Sequence, residues 1–321
     1  MTPPLFSVVI PTFERPDTLF QVLDALGDQA SPPPFEVVVI DDGSKDETPA
    51  RLARHHPKYP FQFFSQKNGG PAAARNRGVS SARGRFVLFL GDDTVPEPEL
   101  LSVHAAAQEE PRAHPAAVLG YTTWPKGQPV SPFLHHINEY GLQFGYALIS
   151  DPESVPFNFF YTSNISLPRE LLLEEGLFDT SFPHAAWEDI EIAYRLVRRG
   201  MKIVYRPRAI ARHHHHMTFR SFRRRQQKAG ESAAIFYGKH PELGDFLAVP
   251  QALGFHEGSA LTRGVLARWA ELSERWDAPG ARKAVDRILR DDYLRSLSRS
   301  LAEGGNPRAS SPVSLSGTRV T

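Results

Sequence analysis

Runs of consecutive apolar, often β-branched residues alternate in the first part of the chain with segments of helical periodicity. The apolar runs cover residues 7–10, 36–40, 61–64 and 86–90. Such runs are typical of strands buried on both faces. Apolar residues at helical spacing predict intervening helices, and these cover residues 16–29, 48–55 and 71–81. This order predicts an α/β fold with a mostly parallel central sheet flanked by helices.

The later chain has a different pattern. Residues 124–156 are rich in Pro, Gly and aromatic residues, which predicts loops and short helices over one side of the sheet. Further predicted elements are a helix over 188–199, a strand over 202–205 and a basic helix over 219–237. We interpret residues 1–240 as one domain with halves 1–123 and 124–240, followed by a helical extension over 241–303. Residues 304–321 have the composition of a disordered tail.

Polar residues follow three of the predicted strands directly. They are Pro11-Thr12, Asp41-Asp42 and, after a glycine, Asp92-Asp93. Ligands of open α/β sheets bind at the carboxyl ends of the strands. We therefore expect the functional site at this edge.

The pair Asp92-Asp93 predicts a cation site. Adjacent carboxylates at one edge repel each other unless a cation neutralises them, and Mg²⁺ or Mn²⁺ would share such oxygen ligands with a diphosphate. The alternative is that Asp92, Asp93 and Thr94 merely start a helix. Both interpretations remain open from the residues alone.

Two further segments suit nucleotide binding without requiring it. Asp42, followed by Gly43 and Ser44, could hold a ribose or a base, or could belong to a plain turn. The segment 69–76 could meet an anion at a helix start, or its small residues could pack the helix against the sheet. In that segment Arg75 and Asn76 are the candidates for polar contact.

The segment Trp187-Glu188-Asp189 opens a predicted helix. Acidic residues in a first helical turn are favoured by the helix dipole. They could instead place a general base beside an acceptor hydroxyl, with Trp187 as a wall for a sugar ring.

A run of four histidines at 213–216 precedes the basic helix. Consecutive side chains cannot all face one site, so one or two of the histidines would bind a metal or a diphosphate. The arginines of the following helix suit a solvated face, a phosphate grip or contact with an anionic membrane.

Composition narrows the classes of function. The 37 basic and 36 acidic residues give a net charge of +1, so no global field indicates a nucleic-acid binder. The absence of cysteine excludes disulfides and thiolate chemistry and is compatible with a cytoplasmic protein. Neither a secretion signal nor a spanning segment is expected from the apolar pattern.

Taken together, these motifs resemble the inverting family 2 glycosyltransferases of the GT-A fold. In order along the chain they are VVIPTFERP, VVVIDDGSKD, GGPAAARNRG, FVLFLGDDTVP, SNISLPRELLLEEGLFD, WEDIEIAYRLVRRG and the histidine run. The resemblance implies transfer of a sugar from a nucleotide diphosphate, UDP by family frequency, to an acceptor hydroxyl. It implies a divalent cation, Mn²⁺ or Mg²⁺, and a glycan, lipid-linked or small-molecule acceptor.

The resemblance also implies roles for single residues. Asp189 would be the catalytic base, and Glu188 would orient the base or the acceptor. The residues implied to bind the donor are Pro11, Thr12, Glu14, Asp42, Arg75 and Asp92. Those implied to contact the acceptor are Asn164 and Trp187. Those implied to hold the metal are Asp93 and one of His213 and His214.

One departure from the family pattern concerns the metal. Many relatives carry an acidic residue immediately before the aspartate pair, whereas Gly91 stands here. We expect this ligand to be missing or to be replaced through water.

Two other classes of protein fit the sequence less well than a glycosyltransferase. A non-catalytic nucleotide-sugar-binding or assembly subunit would have lost Asp189 or the acidic pair, and both are present. A nucleotidyltransferase would need a basic, Gly-rich loop near the N-terminus, which VVIPTFERP does not provide. The expected location is the cytoplasm, with contact at the inner face of the membrane through the basic helix, and the sequence indicates no oligomeric state.

Overall fold

The computed structural model describes residues 3–215, 217–256, 258–272, 274, 276 and 279–304. The strands are β1 (Phe6–Thr12), β2 (Phe35–Asp41), β3 (Phe61–Ser65), β4 (Phe86–Leu90), β5 (Thr94–Pro96), β6 (Ala116–Thr123), β7 (Asn164–Pro168) and β8 (Lys202–His213). The helices are α1 (Pro16–Gly27), α2 (Thr48–Ala53), α3 (Pro71–Ser81), α4 (Leu100–Glu109), α5 (Pro132–Glu139), α6 (Arg169–Glu174), α7 (Glu188–Arg198), α8 (Phe219–Lys239), α9 (Val249–Leu253), α10 (Ala260–Leu272) and α11 (Ala281–Ala302). The predicted alternation of strands and helices from β1 to β4 is confirmed.

Within the described residues, these strands form one mixed sheet in the order β3-β2-β1-β4-β7-β6-β8-β5. Strands β3, β2, β1 and β4 are parallel to one another. Strand β7 is antiparallel to both β4 and β6, β6 is parallel to β8, and β5 is antiparallel to β8. The carboxyl ends of β1, β2 and β4 therefore meet at one edge, as the sequence predicts.

The central strands are buried on both faces because successive side chains point to opposite sides of the sheet. On one face, Val8 and Ile10 pack in the cluster that includes the apolar stripe of α1. On the other face, Val9 packs with Phe89 and the small residues of α3. Gly78 of α3 sits directly against the sheet, since a Cβ there would come within 2.3 Å of Val9. The small residues of 69–76 thus begin a helix that packs closely on the strands.

Several predicted bounds and one predicted alternative differ from the structure. Helix α1 ends at Gly27 and not at residue 29, and β8 continues to His213 and does not end at residue 205. The pair Asp92-Asp93 does not start a helix, because the next element is β5. Strand β5 pairs with the extended end of β8, with Thr94 opposite His213. This pairing accounts for the greater length of β8 and for the strand, instead of a helix, after the acidic pair.

The predicted helical extension packs against the body of the fold. A Cβ on Gly230 of α8 would come within 2.4 Å of the Tyr293 carbonyl oxygen, so α8 and α11 make close backbone contact. Arg223 of α8 donates a 2.6 Å hydrogen bond to the buried carboxylate of Asp292. Strand β7 shares its sheet with β4, so both halves of the predicted domain contribute to one core. The predicted tail lies outside the described residues from 305 onwards.

No helix in the described part of the chain has both the length and the apolar character needed to cross a membrane.

Candidate active site

Two strand ends bring the first acidic pair together with its neighbours. Asp92 and Asp93 lie just past β4, and both are largely buried. Thr12, at the end of β1, donates a 2.8 Å hydrogen bond to Asp92 Oδ2. Arg15, which precedes α1, hydrogen bonds to both carboxylates through Nη1, with 3.4 Å to Asp92 Oδ1. A single guanidinium therefore bridges the two acids.

The two carboxylates differ in proton affinity. Burial and the neighbouring charge of Asp93 raise the pKa of Asp92 to about 6. Burial would raise the pKa of Asp93 as well, but hydrogen bonds with His213 and His215 and the charge of Arg15 hold it well below its usual value. Of the two, Asp93 is therefore the carboxylate that more strongly favours the ionised form.

The histidine run meets Asp93 through alternate residues. His213 Nε2 lies 3.5 Å from Asp93 Oδ1, and His215 Nδ1 lies 3.3 Å from Asp93 Oδ2. His214 contributes its backbone N–H, which donates to the Asp93 carbonyl oxygen at 2.7 Å. Of the two predicted histidines, His213 reaches the site, and His215 takes the place that was predicted for His214. Side chains two residues apart in extended chain point to the same side, which is why His213 and His215 act together.

Asp93, His213 and His215 form a group that could hold a metal ion. Among the described residues, their ligand atoms all lie within 4.8 Å of one another. His213 is held rigidly, because its ring stacks on Trp124 at 5.7 Å and on His215 at 5.5 Å. One carboxylate and two imidazoles form a donor set that suits Mn²⁺ better than Mg²⁺, which prefers oxygen ligands. These residues therefore fit a divalent cation.

The structure explains the glycine that replaces an acidic residue before the pair. A Cβ on Gly91 would come within 2.5 Å of Thr94 Oγ1 and 3.1 Å of Asp93 Oδ1. A side chain at position 91 would therefore displace Asp93 or Thr94. His213 and His215 offer further ligand atoms beside Asp93, whereas the sequence interpretation expected the ligand at position 91 to be missing or replaced through water.

The second acidic pair opens α7. Glu188 is buried and accepts a 2.8 Å hydrogen bond from Nη1 of Arg75, whose side chain is also buried. The other carboxylate oxygen, Glu188 Oε2, has no hydrogen-bond partner among the described residues. Arg75 lies over the ring of Phe178 at 5.6 Å. In this structure Arg75, predicted to contact the donor, is the counterion of Glu188.

Asp189, next to this ion pair, is half-buried. Burial and the charge of Glu188 raise the pKa of Asp189 to about 7, although Arg75 and Arg225 oppose the shift. The residue before the pair, Trp187, has a left-handed backbone with a φ of 70°. Such a conformation is costly for a bulky residue and is found preferentially at functional sites.

The side chain of Trp187 is held by contacts with α8 and with the residues that follow it. Its indole N–H donates to the Ala229 carbonyl oxygen at 2.9 Å, and its ring contacts Phe236 and Phe246. These contacts commit the ring largely to packing against α8 and its surroundings. The predicted acceptor contact of Trp187 stays a prediction.

Asn164, the other predicted acceptor residue, does not face the site. It is fully buried. Its Oδ1 lies 3.0 Å from His104 Nε2, and its Nδ2 donates to the Ala209 carbonyl oxygen at 2.9 Å. Burial lowers the pKa of His104 to about 4, so this network is neutral. Asn164 joins β7 to the helix α4 and to β8.

Asp42 lies at the predicted edge of the sheet, but its carboxylate is hydrogen bonded to other residues of the fold. Its carboxylate accepts hydrogen bonds from the backbone N–H groups of Gly69 and Gly70 at 2.9 and 2.8 Å, and from Gln66 Nε2 at 2.8 Å. These bonds occupy the amides that the sequence suggested for an anion. The predicted contact of Asp42 with a base or ribose would therefore be additional to this role.

The other predicted donor residues line the end of β1. Pro11 is half-buried and Thr12 is buried, whereas Glu14 is exposed. Glu14 has a left-handed backbone with a φ of 53°, and its N–H donates to Ser44 Oγ at 2.8 Å. This bond ties the loop after β1 to the turn after β2.

Arg225 of α8 is a site residue that the sequence did not single out from its basic neighbours. Arg225 is exposed on α8, and the charges of Asp189, Glu188 and Asp93 act on its guanidinium. One guanidinium therefore interacts with both acidic pairs. We refer to the region around Arg225 that both pairs share as the cleft.

Known proteins resemble this chain in sequence and in fold. The family model described as Glycosyl transferase family 2 matches residues 7–164. The chain is 28% identical over 223 residues to hyaluronan synthase from Pasteurella multocida, covering 60% of this chain and 23% of that protein. It is 31% identical over 222 residues to validoxylamine A glucosyltransferase from Streptomyces hygroscopicus subsp. limoneus, covering 62% of this chain and 49% of that protein. The chain thus spans a quarter to a half of the length of these relatives.

A solved structure shares the fold. The mannosyltransferase PcManGT from Pyrobaculum calidifontis, determined in complex with GDP-Man and Mn²⁺, superposes with a TM-score of 0.55 at 18% identity. The superposition covers 94% of this chain and 80% of that chain. This similarity confirms the predicted α/β fold of the GT-A type with C-terminal helices.

Proposed function

Because the chain belongs to glycosyl transferase family 2, we propose that it transfers a sugar from a nucleotide diphosphate donor to an acceptor hydroxyl, with inversion at the anomeric carbon. The observation that carries the proposal is that both acidic pairs act on one guanidinium, that of Arg225. One pair offers Asp93 with His213 and His215, and the other offers Asp189 with a pKa of about 7. A cation site facing a tuned carboxylate suits a single in-line displacement.

Asp189 is the proposed general base. A base works best when its pKa is close to the operating pH, because it is then ionised and still basic. The carboxylate takes the proton of the acceptor hydroxyl as the oxygen attacks the anomeric carbon. Glu188, fixed by Arg75, keeps the pKa of Asp189 raised through its negative charge.

Asp93, His213 and His215 are the proposed ligands of a divalent cation, with Mn²⁺ favoured by the imidazoles. A bound cation would stabilise the negative charge that develops on the departing nucleoside diphosphate. Asp92, held by Thr12 and Arg15, lines the same site and carries part of the negative charge that attracts the cation. Inversion follows from attack opposite the leaving group.

The donor lies, in this proposal, along Pro11, Thr12 and Glu14, with UDP as the first nucleotide to test. The acceptor is a glycan, a lipid-linked glycan or a small molecule. The names of the two relatives include both a polysaccharide synthase and a glucosyltransferase of a small molecule. Exposed Arg220 and Arg224 on α8 support peripheral contact with an anionic membrane at its cytoplasmic face.

Calorimetric titration of the protein with UDP and with GDP, each with and without Mn²⁺, tests the donor site. We expect one nucleotide to bind tightly only with Mn²⁺, and Asp93→Ala to weaken that binding by roughly 100-fold or more, since it removes the central ligand. Asp17→Ala, which changes an exposed carboxylate of α1, is the control and should bind like the wild type. Failure of both nucleotides under all conditions would favour a non-catalytic assembly subunit.

A further inference from the structure

Arg15 is a partly exposed residue that pairs with both carboxylates of the first acidic pair. It directly precedes α1, and its Nη1 hydrogen bonds to Asp92 Oδ1 at 3.4 Å and also to Asp93 Oδ2. The Arg15 side chain is 41% exposed, whereas each of the two carboxylate side chains is only 11% exposed. The guanidinium therefore covers the acidic pair from the solvent side and can leave without disturbing the core.

The same carboxylate oxygen also belongs to the candidate metal group. Asp93 Oδ2, which accepts from Arg15, lies 3.3 Å from His215 Nδ1. A divalent cation held by Asp93, His213 and His215 would stand next to the guanidinium. Two positive groups at such a distance repel each other strongly. Arg15 and the cation therefore compete for the acidic pair.

We propose that Arg15 is a mobile donor ligand that rests on Asp92 and Asp93 and moves to the donor diphosphate when a divalent cation takes its place. This inference rests on the proposed function, since it requires a diphosphate in the cleft. A guanidinium offers parallel N–H groups that match phosphate oxygens, and the diphosphate is the anion that arrives together with the cation. Cation and nucleotide then bind cooperatively, and each raises the affinity for the other.

A fixed counterion is the alternative role of Arg15, and the two roles predict different results. As a fixed counterion, Arg15 would hinder the cation before and after the nucleotide binds. Its removal would then strengthen Mn²⁺ binding and leave the nucleotide unaffected or bound more tightly. If Arg15 is a mobile ligand, its removal strengthens the binding of Mn²⁺ in the absence of nucleotide. The same removal weakens the binding of the nucleotide. The opposite signs identify the mobile ligand.

The experiment measures two affinities of wild type, Arg15→Ala and Arg15→Lys, after thermal unfolding has shown that each variant is folded. Mn²⁺ binding without nucleotide is followed by electron paramagnetic resonance, and we expect it to be about tenfold tighter in Arg15→Ala. Binding of UDP and GDP at saturating Mn²⁺ is followed by calorimetry, and we expect it to be about tenfold weaker or more. Arg15→Lys keeps the charge and loses the fork, so it should bind Mn²⁺ like the wild type and the nucleotide less tightly.

Arg51→Ala is the matched control. Arg51 Nη1 also hydrogen bonds to two carboxylates, Asp17 and Glu47, each at 3.0 Å, but outside the cleft. Both affinities should stay unchanged in this variant. Unchanged Mn²⁺ affinity in Arg15→Ala, or nucleotide binding that is not weakened, would overturn the inference. A wild type that binds Mn²⁺ but neither nucleotide would refute the proposed donor site, and with it the donor role of Arg15.

Discussion

The two acidic pairs of the cleft are alike in sequence and different in structure. Asp92-Asp93 and Glu188-Asp189 each consist of two adjacent carboxylates. Asp93 and Glu188 each form a close ion pair, whereas the pKa of the other member is raised, to about 6 for Asp92 and about 7 for Asp189. Environments that separate the pKa values of neighbouring acids assign them different tasks.

The counterions make the difference between the pairs. The partners of Asp93 are the 41% exposed Arg15, which can leave, and two histidines, which can bind a cation together with Asp93. The partner of Glu188 is Arg75, whose side chain is only 10% exposed and fixed between α3 and α7. Exchangeable partners suit an ion site, whereas a permanent partner suits a carboxylate that tunes its neighbour. We therefore place metal binding at the first pair and base catalysis at the second.

The largest expected effect separates the pairs by function. Asp189→Asn removes the proposed base and keeps the shape of the side chain. We expect the rate of sugar transfer to fall by roughly 100- to 10,000-fold, while Mn²⁺-dependent binding of the nucleotide stays within about twofold of the wild type. Initial rates with a radiolabelled nucleotide sugar and calorimetry on the same preparation measure both quantities.

Two results would break this assignment. Transfer at the wild-type rate would remove Asp189 from the chemistry. Parallel loss of transfer and nucleotide binding would place Asp189 in the donor site. Asp179→Asn, which alters a carboxylate that pairs with Lys239 at 2.6 Å outside the cleft, controls for a general effect of removing an acid.

The next effect concerns which histidine serves the first pair. His215→Ala should weaken Mn²⁺ binding by about tenfold or more because it removes a proposed ligand, whereas His214→Ala should change it by less than about twofold. His214 acts through its backbone N–H, which the substitution keeps. Mn²⁺ titration followed by electron paramagnetic resonance measures the difference, and equal losses in both variants would refute the alternate-residue geometry.

The choice between these histidines shows where prediction from sequence ends. The strands β1, β2 and β4 were predictable because each is a local apolar run, and their shared edge followed from the parallel order. The direction of the His213 and His215 side chains towards Asp93 depends on the pairing of Thr94 with His213. These two residues are far apart in the chain. No local pattern contains that register.

The same limit applies to residues whose partners come from distant elements. Asp42 was predictable as a strand-end carboxylate, but its bonds to Gly69 and Gly70 depend on how α3 starts beside β2. Asn164 matched a motif at the right position, yet its side chain turns inward to His104 of α4. Strand β6 was not predicted, although it begins with the apolar residues AAVL, and it is defined by its pairing with β7 and β8. The local sequence was enough to identify candidate polar residues, but it did not show in which direction their side chains point.

The smallest expected effect tests how the second pair tunes its base. Glu188→Gln removes the charge that, after burial, contributes most to raising the pKa of Asp189. The pKa of Asp189 should therefore fall below 7, by roughly one unit. Because Asp189 acts in its ionised form, transfer by the wild type should rise with pH up to about 7 and then level off. In Glu188→Gln the same rise should occur at lower pH.

A matched change on the same helix distinguishes tuning from loss of stability. Glu191 is also buried on α7 and pairs with Arg195 at 2.9 Å and His240 at 2.9 Å. Breaking either buried pair should lower the free energy of unfolding by about 2–4 kcal/mol, seen as a lower Tm. Only Glu188→Gln should move the midpoint of the pH–rate profile, since only Glu188 adjoins Asp189. An equal shift in Glu191→Gln would mean that the midpoint reports general loosening of α7 and not the charge beside the base.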